Sequence, residues 1–331
     1  MINTFWIDRP VLITGATGFV GSYLVERLLD AGASVTCIVR DYRPDSLFVN
    51  RDLFLDVNRV KGDLSDYRMV ERTLAEYEID TVFHLAAQTV VKIANISPYT
   101  TIQNNIESTL NVLEAVRVNG NIRHTVVASS DKAYGELSER RQYVETDPVN
   151  GLHPYDMSKS VTDLLAQTYH DCYSLDLAIT RCGNIYGGGD MNWSRLIPRT
   201  IRRILRGKLP EIWGTGEETR DYFYVKDCVN AYMLLSEREA HGPYNFSTGE
   251  EMTVKGVIEA VCEAMGVPVQ YDVKGNADGE INYQWLDSTK ARKNLNWIPQ
   301  YTFKKGIKST VKWYMDYLGA ESNGNGKIVL L

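Results

Sequence analysis

Tyr155 stands four residues before Lys159, in the string Tyr155-Asp-Met-Ser-Lys159. On a helix that spacing puts both side chains on one face, about 6 Å apart along the axis. There an ammonium stabilises a phenolate and draws a tyrosine's pKa from about 10 toward the working pH. A tyrosine tuned in this way takes the proton of an alcohol while a cofactor takes the hydride. Just upstream runs Ser129-Ser130-Asp131-Lys132, a hydroxyl followed by a second acid/base pair. Simple alcohol oxidation does not need that pair, and loss of water does.

A hydride acceptor is foreshadowed near the start of the chain. Gly15-Ala-Thr17-Gly18-Phe19-Val20-Gly21 is a GxxGxxG turn between an apolar strand and a helix. In such a turn the first glycine permits the bend and the second lets backbone approach a pyrophosphate. The third lets the helix pack on the strand, and the helix N-terminus offers N–H groups to the phosphates. The residue that reads the ribose belongs at the end of the next strand, where the string is Val39-Arg40-Asp41. Asp41 favours NAD, and Arg40 could instead hold the 2′-phosphate of NADP. Asp63-Leu64 and Ala86-Ala87, after the third and fourth strands, are placed to line adenine and the phosphates.

These residues need a scaffold, and the pattern up to Cys182 alternates strand and helix, which predicts a parallel sheet covered on both faces. Strands are expected at Val11–Thr14, Val35–Val39, Arg59–Lys61, Thr81–Leu85, Thr125–Ser129 and Leu177–Arg181. Val20, Leu24, Leu28 and Ala31 recur at helical spacing, and Gly32 stops that helix. A long helix is expected from about Pro98 to Asn119, and another opens at Pro154, a favourable first-turn residue. The expected fold is therefore α/β, a Rossmann-type doubly wound sheet over 1–182. A smaller α/β substrate region over 183–320 and a flexible tail over 321–331 follow.

The chain has 331 residues, with 36 Lys and Arg against 42 Asp and Glu, a net charge of −6. That balance gives no field for nucleic acid, so any anionic ligand must be held locally. Five scattered cysteines without a CxxC point to reduced thiols in the cytoplasm, and neither they nor the histidines show metal-ligand spacing. His84, ending an apolar strand, reads as a packed histidine. No apolar run approaches the roughly 18 residues of a membrane span, and Met1–Pro10 does not read as a signal peptide.

Eight strings in register resemble the extended short-chain dehydrogenase/reductase family, specifically its nucleotide-sugar epimerases and dehydratases. They are Thr14–Gly21, His84-Leu85-Ala86-Ala87, Asn105, Ser129–Gly135, Tyr155-x-x-x-Lys159, Arg181–Gly187, Arg220–Asp227 and Asn245-x-x-x-Gly249. Within the family, Ser130-Asp131-Lys132 is most similar to the CDP-glucose 4,6-dehydratases. Phe5-Trp6, Gly187-Gly-Gly-Asp190 and Arg195-Leu-Ile-Pro198 are similar to them as well. Gly214-Thr-Gly216 and Arg220–Tyr224 instead resemble the wider set, which leaves the nucleotide base open.

The resemblance implies an NDP-hexose 4,6-dehydratase using NAD, with a 4-epimerase as the alternative and a non-catalytic NAD(P)-binding regulator as a remote one. Tyr155 would take the 4-hydroxyl proton, Lys159 would lower its pKa and bind ribose, and Ser130 would bond the sugar or the tyrosine. Asp131 would protonate the departing C6 hydroxyl; Lys132 would either be the C5 base or orient Asp131. Gly15, Thr17, Gly18, Phe19, Val20, Gly21, Asp63, Leu64, Leu85, Ala86 and Ala87 would line the cofactor. Gln88, Asn184, Arg195 and Arg220 would meet the nucleotide sugar. The helices at Pro98–Asn119 and Pro154–Tyr173 resemble those of a four-helix homodimer interface, with Leu110, Val112, Leu164 and Leu165 on offer.

Overall fold

The strands alternate with helices as their periodicity requires. A computed structural model describes residues 4–275, 281–323 and 327–330, with side chains up to residue 319. The first half runs β1 (Pro10–Thr14), α1 (Phe19–Asp30), β2 (Ser34–Val39), a short α2 (Leu47–Asn50), β3 (Asn58–Lys61), α3 (Tyr67–Glu76) and β4 (Thr81–His84). It continues through α4 (Val91–Ile96), α5 (Pro98–Ile102), a π-helical turn (Gln103–Glu107), α6 (Ser108–Asn119), β5 (His124–Ala128), α7 (Pro154–Tyr173) and β6 (Leu177–Cys182). The expected long helix thus carries a π-turn inside it, a distortion frequent at functional sites.

The second half begins with β7 (Asn184–Tyr186), α8 (Leu196–Leu205), β8 (Glu211–Ile212), β9 (Thr219–Arg220), β10 (Tyr222–Tyr224) and α9 (Val225–Glu237). Then come β11 (Gly242–Phe246), β12 (Met252–Thr253), α10 (Val254–Met265), β13 (Asp272–Val273), β14 (Tyr283–Gln284), α11 (Thr289–Leu295) and α12 (Phe303–Leu318). Within the tail expected to be flexible lies an antiparallel pair, β15 (Ala320–Asn323) with β16 (Lys327–Leu330). Residues 324–326 and 331 of that expectation lie outside the described residues.

Seven strands form one sheet in the order β11-β6-β5-β4-β1-β2-β3, every neighbour parallel. This is the Rossmann-type fold. Its inner strands are buried on both faces, so odd and even residues of one strand enter different cores. Val11 and Ile13 join the layer of Leu24, Phe83 and Val229, whereas Leu12 joins that of Val70, Val112 and Ile179. The sheet also passes the expected boundary at 182. Its edge strand β11 and the covering helix α9 come from residues 225–246, because Gly242–Phe246 finds a parallel partner in β6. The core of the second half joins helices to Tyr186 of β7 and Tyr222 and Tyr224 of β10. Ile197, Ile201 and Leu205 of α8, Val257, Val261 and Met265 of α10, and Ile307 and Val311 of α12 form stripes at four-residue spacing that pack together.

Candidate active site

β1 lies between β2 and β4, so the chain reverses its direction of winding at the carboxyl end of β1. Ligands of open α/β sheets bind at such a switch point. A cavity of about 1330 Å³ opens there and extends under the second half. Gly15 has φ +74°, and a Cβ on it would meet Ala86 N at 2.8 Å, so only glycine suits this bend. A Cβ on Gly21 would meet Gly15 O at 2.1 Å, which is the close helix–strand packing expected of the third glycine. Gly18 has an ordinary φ of −80° and lines the cavity as N-cap of α1, with no side-chain cap. The first-turn N–H groups of α1 have no intrahelical acceptor and so are available to an anion.

Thr17, Phe19, Val20, Arg40, Asp41, Asp63, Leu64, Leu85, Ala86 and Ala87 all line this cavity. The two candidate ribose readers are bonded to each other, Arg40 Nε donating to Asp41 Oδ2 at 2.7 Å, with Asp63 3.6 Å from Arg40. Each of these side chains is more than 40% exposed, which places the trio at the rim. His84 is buried between Thr14 and Thr109, and burial drives its pKa down to about 3, with Lys159 adding to the fall. It is the packed histidine expected, and burial keeps it neutral.

The catalytic candidates converge from β5 and α7. Pro154 is the first residue of α7, so Tyr155 and Lys159 project from its opening turns and are both buried. Ser130 follows β5, lies close enough to the Tyr155 phenol to lower its pKa, and donates to Asp131 Oδ1 at 2.9 Å. Its Oγ also accepts from Lys132 N at 3.2 Å, which fixes the short turn carrying Asp131 and Lys132. Lys132 Nζ reaches across to Gln284 Oε1 at 2.5 Å.

Lys159, expected to hold down the Tyr155 pKa, donates from its ammonium to the Ala128 carbonyl at 2.8 Å. Burial lifts the Tyr155 phenol to about 12, and Arg195 is the cation that opposes the rise, helped by Ser130. Burial also lowers Lys159 to about 8, against the pull of Asp163. The i,i+4 spacing puts the two side chains on one helix face, but a buried ammonium turns to the nearest carbonyl for solvation.

The substrate candidates line the same cavity: Gln88, Asn184, Arg195 and Arg220. Arg195 is braced by Asp190 Oδ2 at 3.0 Å. Asn184 Nδ2 is buried with no hydrogen-bond partner among the described residues, as a donor meant for a ligand would be. Arg220 Nη1 donates to Thr219 O at 2.8 Å. Gln88 fits its assignment less well, because its amide is engaged with the Val90 backbone at 2.6 and 3.1 Å.

Three residues escaped sequence reasoning or were given no role by it. Asn105, in the π-turn, accepts from Gln88 N at 2.7 Å and donates to Ser158 Oγ at 2.8 Å, tying the β4 loop to α7. A mid-helix asparagine in an otherwise apolar-periodic segment was the available signal. Asp190 stood in the Gly187–Asp190 string without a role of its own, and Gln284 carried no local signal.

The chain's relatives can now be set beside this geometry. The GDP-mannose 4,6 dehydratase family model matches residues 12–310. A trifunctional UDP-glucose 4,6-dehydratase/UDP-4-keto-6-deoxy-D-glucose 3,5-epimerase/UDP-4-keto-L-rhamnose-reductase of Arabidopsis thaliana is 31% identical across 93% of this chain. The match spans 47% of that longer protein, about half its length. CDP-glucose 4,6-dehydratase of Salmonella typhimurium is 29% identical across 96% of this chain and 94% of its own. Among solved structures, dTDP-glucose 4,6-dehydratase of Bacillus anthracis in complex with NAD superposes with a TM-score of 0.84. It is 26% identical and covers 93% of this chain and 97% of its own. UDP-glucose 4-epimerase of Thermotoga maritima with UDP-glucose gives 0.85, 29% identity, and 93% and 99% coverage. On the family match and on these relatives, the chain belongs to the GDP-mannose 4,6 dehydratase family.

Proposed function

We propose that this chain is an NDP-hexose 4,6-dehydratase that works with bound NAD. The observation that carries the reading is the meeting of Tyr155 and Ser130 with the Asp131–Lys132 pair in one cavity beside a dinucleotide turn. The residues present fit the cofactor: a glycine cradle that a Cβ would fill and a helix N-terminus with free donors. Gly15, Gly18, Gly21, Asp41, Asp63 and Leu64 would hold it, with Lys159 toward the nicotinamide ribose. When bound, NAD supplies a hydride acceptor at C4 of the sugar and a donor at C6.

The chain's own residues handle the protons. Tyr155, oriented by Ser130, takes the proton of the 4-hydroxyl as C4 becomes a ketone. That ketone acidifies the neighbouring C5 proton, for which Lys132 is the base, a role it fills only when deprotonated. Asp131 gives its proton to the C6 hydroxyl, which leaves as water. Arg195, Arg220 and Asn184 meet the diphosphate; a protein of net charge −6 needs such local cations for an anion.

Product analysis with CDP-, dTDP-, GDP- and UDP-hexoses tests this. One of them should yield a 4-keto-6-deoxy sugar with loss of water. A product of unchanged mass inverted at C4 would replace the reading with a 4-epimerase. Tyr155, Ser130 and Lys159 suffice for that reaction, and the likeness to the Thermotoga epimerase favours it as the second reading.

The partner proposed is a second copy of the chain. Leu110 of α6 and Leu164 of α7 are exposed, and Val118 and Tyr173 on the same helices are exposed as well. Val112, also offered from the sequence, is fully buried in the core and takes no part.

A further inference from the structure

Gln284 sits 0% exposed on β14, far along the chain from the catalytic turn. A buried amide must find partners for both ends. Its Oε1 accepts from Lys132 Nζ at 2.5 Å, and its Nε2 donates to the Asp131 carbonyl at 2.9 Å. One side chain thus grips both members of the acid/base pair.

The strand that carries Gln284 is itself pinned on two sides. β14 runs parallel to β9 with Gln284 opposite Arg220, which lines the substrate cavity. Before it, the Asn282 carbonyl accepts from Thr219 N at 2.9 Å. After it, Tyr143 N donates to Trp285 O at 3.0 Å, Leu286 N donates to Asp221 Oδ2 at 2.8 Å, and Asp287 N donates to Tyr143 O at 2.9 Å. The amide is therefore delivered to Lys132 by a strap whose backbone is fixed to the cavity wall.

The chemistry of the side chain matters as much as its place. The charge of Lys132 already bears on the buried carboxyls of Asp156 and Asp221. An amide oxygen accepts an N–H from either the ammonium or the free amine. A carboxylate in its place would favour the ammonium and hold the proton on.

We propose that Gln284 is a positioning residue for water elimination. It aims Lys132 and the Asp131 backbone at the C5–C6 bond of the hexose while leaving Lys132 free to lose its proton. Through the β9–β14 register, the same residue ties the acid/base pair to the wall that carries Arg220. This inference rests on the dehydratase reading.

The test separates the two steps of the reaction. Wild type must first convert an NDP-hexose to the 4-keto-6-deoxy product; if it does not, the dehydratase reading falls without reference to Gln284. With that established, Gln284→Leu should form reduced nicotinamide at the wild-type rate, with unchanged KM. Elimination should slow by about 10²-fold, the cost of a misplaced catalytic group. Gln284→Glu should move the pH at which elimination is fastest upward and leave the C4 oxidation profile in place. Oxidation and elimination falling together with a raised KM would show a merely structural role and overturn the proposal, as would no change in either step. Should Gln284→Leu not fold, the isosteric Gln284→Glu decides alone: an elimination profile identical to wild type overturns the proposal.

Discussion

Arg195 bears on the phenol of Tyr155 from a different element, braced by Asp190 at 3.0 Å. Its charge opposes the burial that lifts that phenol to about 12. Arg195→Ala removes the opposing cation, so at a fixed pH the phenolate fraction should fall by about an order of magnitude. Single-turnover pH profiles of C4 oxidation should shift to higher pH, and Arg195→Lys, which keeps the charge, should show little of that shift. A profile that stays in place would confine Arg195 to substrate binding.

The cofactor turn can be probed at the one of its glycines that has an ordinary backbone angle. Gly18 has a backbone angle open to any residue, yet it lines the cavity where a pyrophosphate would lie. Gly18→Val should weaken NAD binding by about tenfold or more, or about 1.4 kcal/mol, and its Cβ, 3.1 Å from Gly15 O, should lower the melting temperature modestly. Asp41→Asn releases Arg40 from its 2.7 Å bond and should shift preference from NAD toward NADP. Equilibrium titration of both nucleotides reads each effect.

Isotope labelling separates dehydration from epimerisation. Substrate deuterated at C4 should give product deuterated at C6, with one solvent proton entering at C5. Asp131→Asn removes the acid for the leaving hydroxyl while Tyr155 still oxidises C4. Dehydration should drop by about 10²–10⁴-fold, and reduced nicotinamide should build up on the enzyme. Label returned to C4 in an inverted product, with Asp131→Asn fully active, would sink the dehydratase reading.

Asp221 makes stability depend on pH. It is 1% exposed, and burial raises its carboxyl to about 7 despite hydrogen bonds from Ser247 and the Leu286 backbone. The folded state therefore keeps a proton that the unfolded chain releases near its ordinary value of about 4. The stabilisation is fully present below about pH 4 and is lost as pH rises through about 7. Asp221→Asn carries no such proton, so its melting temperature should gain on wild type as the pH rises from about 4 to about 8. A constant difference across that range would show that Asp221 does not titrate there.

For the proposed homodimer, Leu110→Glu combined with Leu164→Glu places charges on the exposed faces of α6 and α7. Light scattering at micromolar concentration should read a dimer for wild type and a monomer for the pair. A monomeric wild type would remove the homodimer from the account.

Much of this was legible in the residues because it is local. The glycine turn, the alternation of apolar strands with helices, Pro154 opening α7 and the shared face of Tyr155 and Lys159 all follow from spacing within one or two elements. The tertiary structure alone decided the rest. β11 joined the sheet edge because β6 had an open side, a pairing that no nearby pattern encodes. Lys159 turned to the Ala128 carbonyl because burial deprived its ammonium of water. Arg195 became the cation acting on Tyr155, and Gln284 took hold of Lys132, only because separate elements packed around one cavity. Sequence periodicity records which face of an element is apolar; which distant side chain meets a buried charge depends on how those faces close on one another.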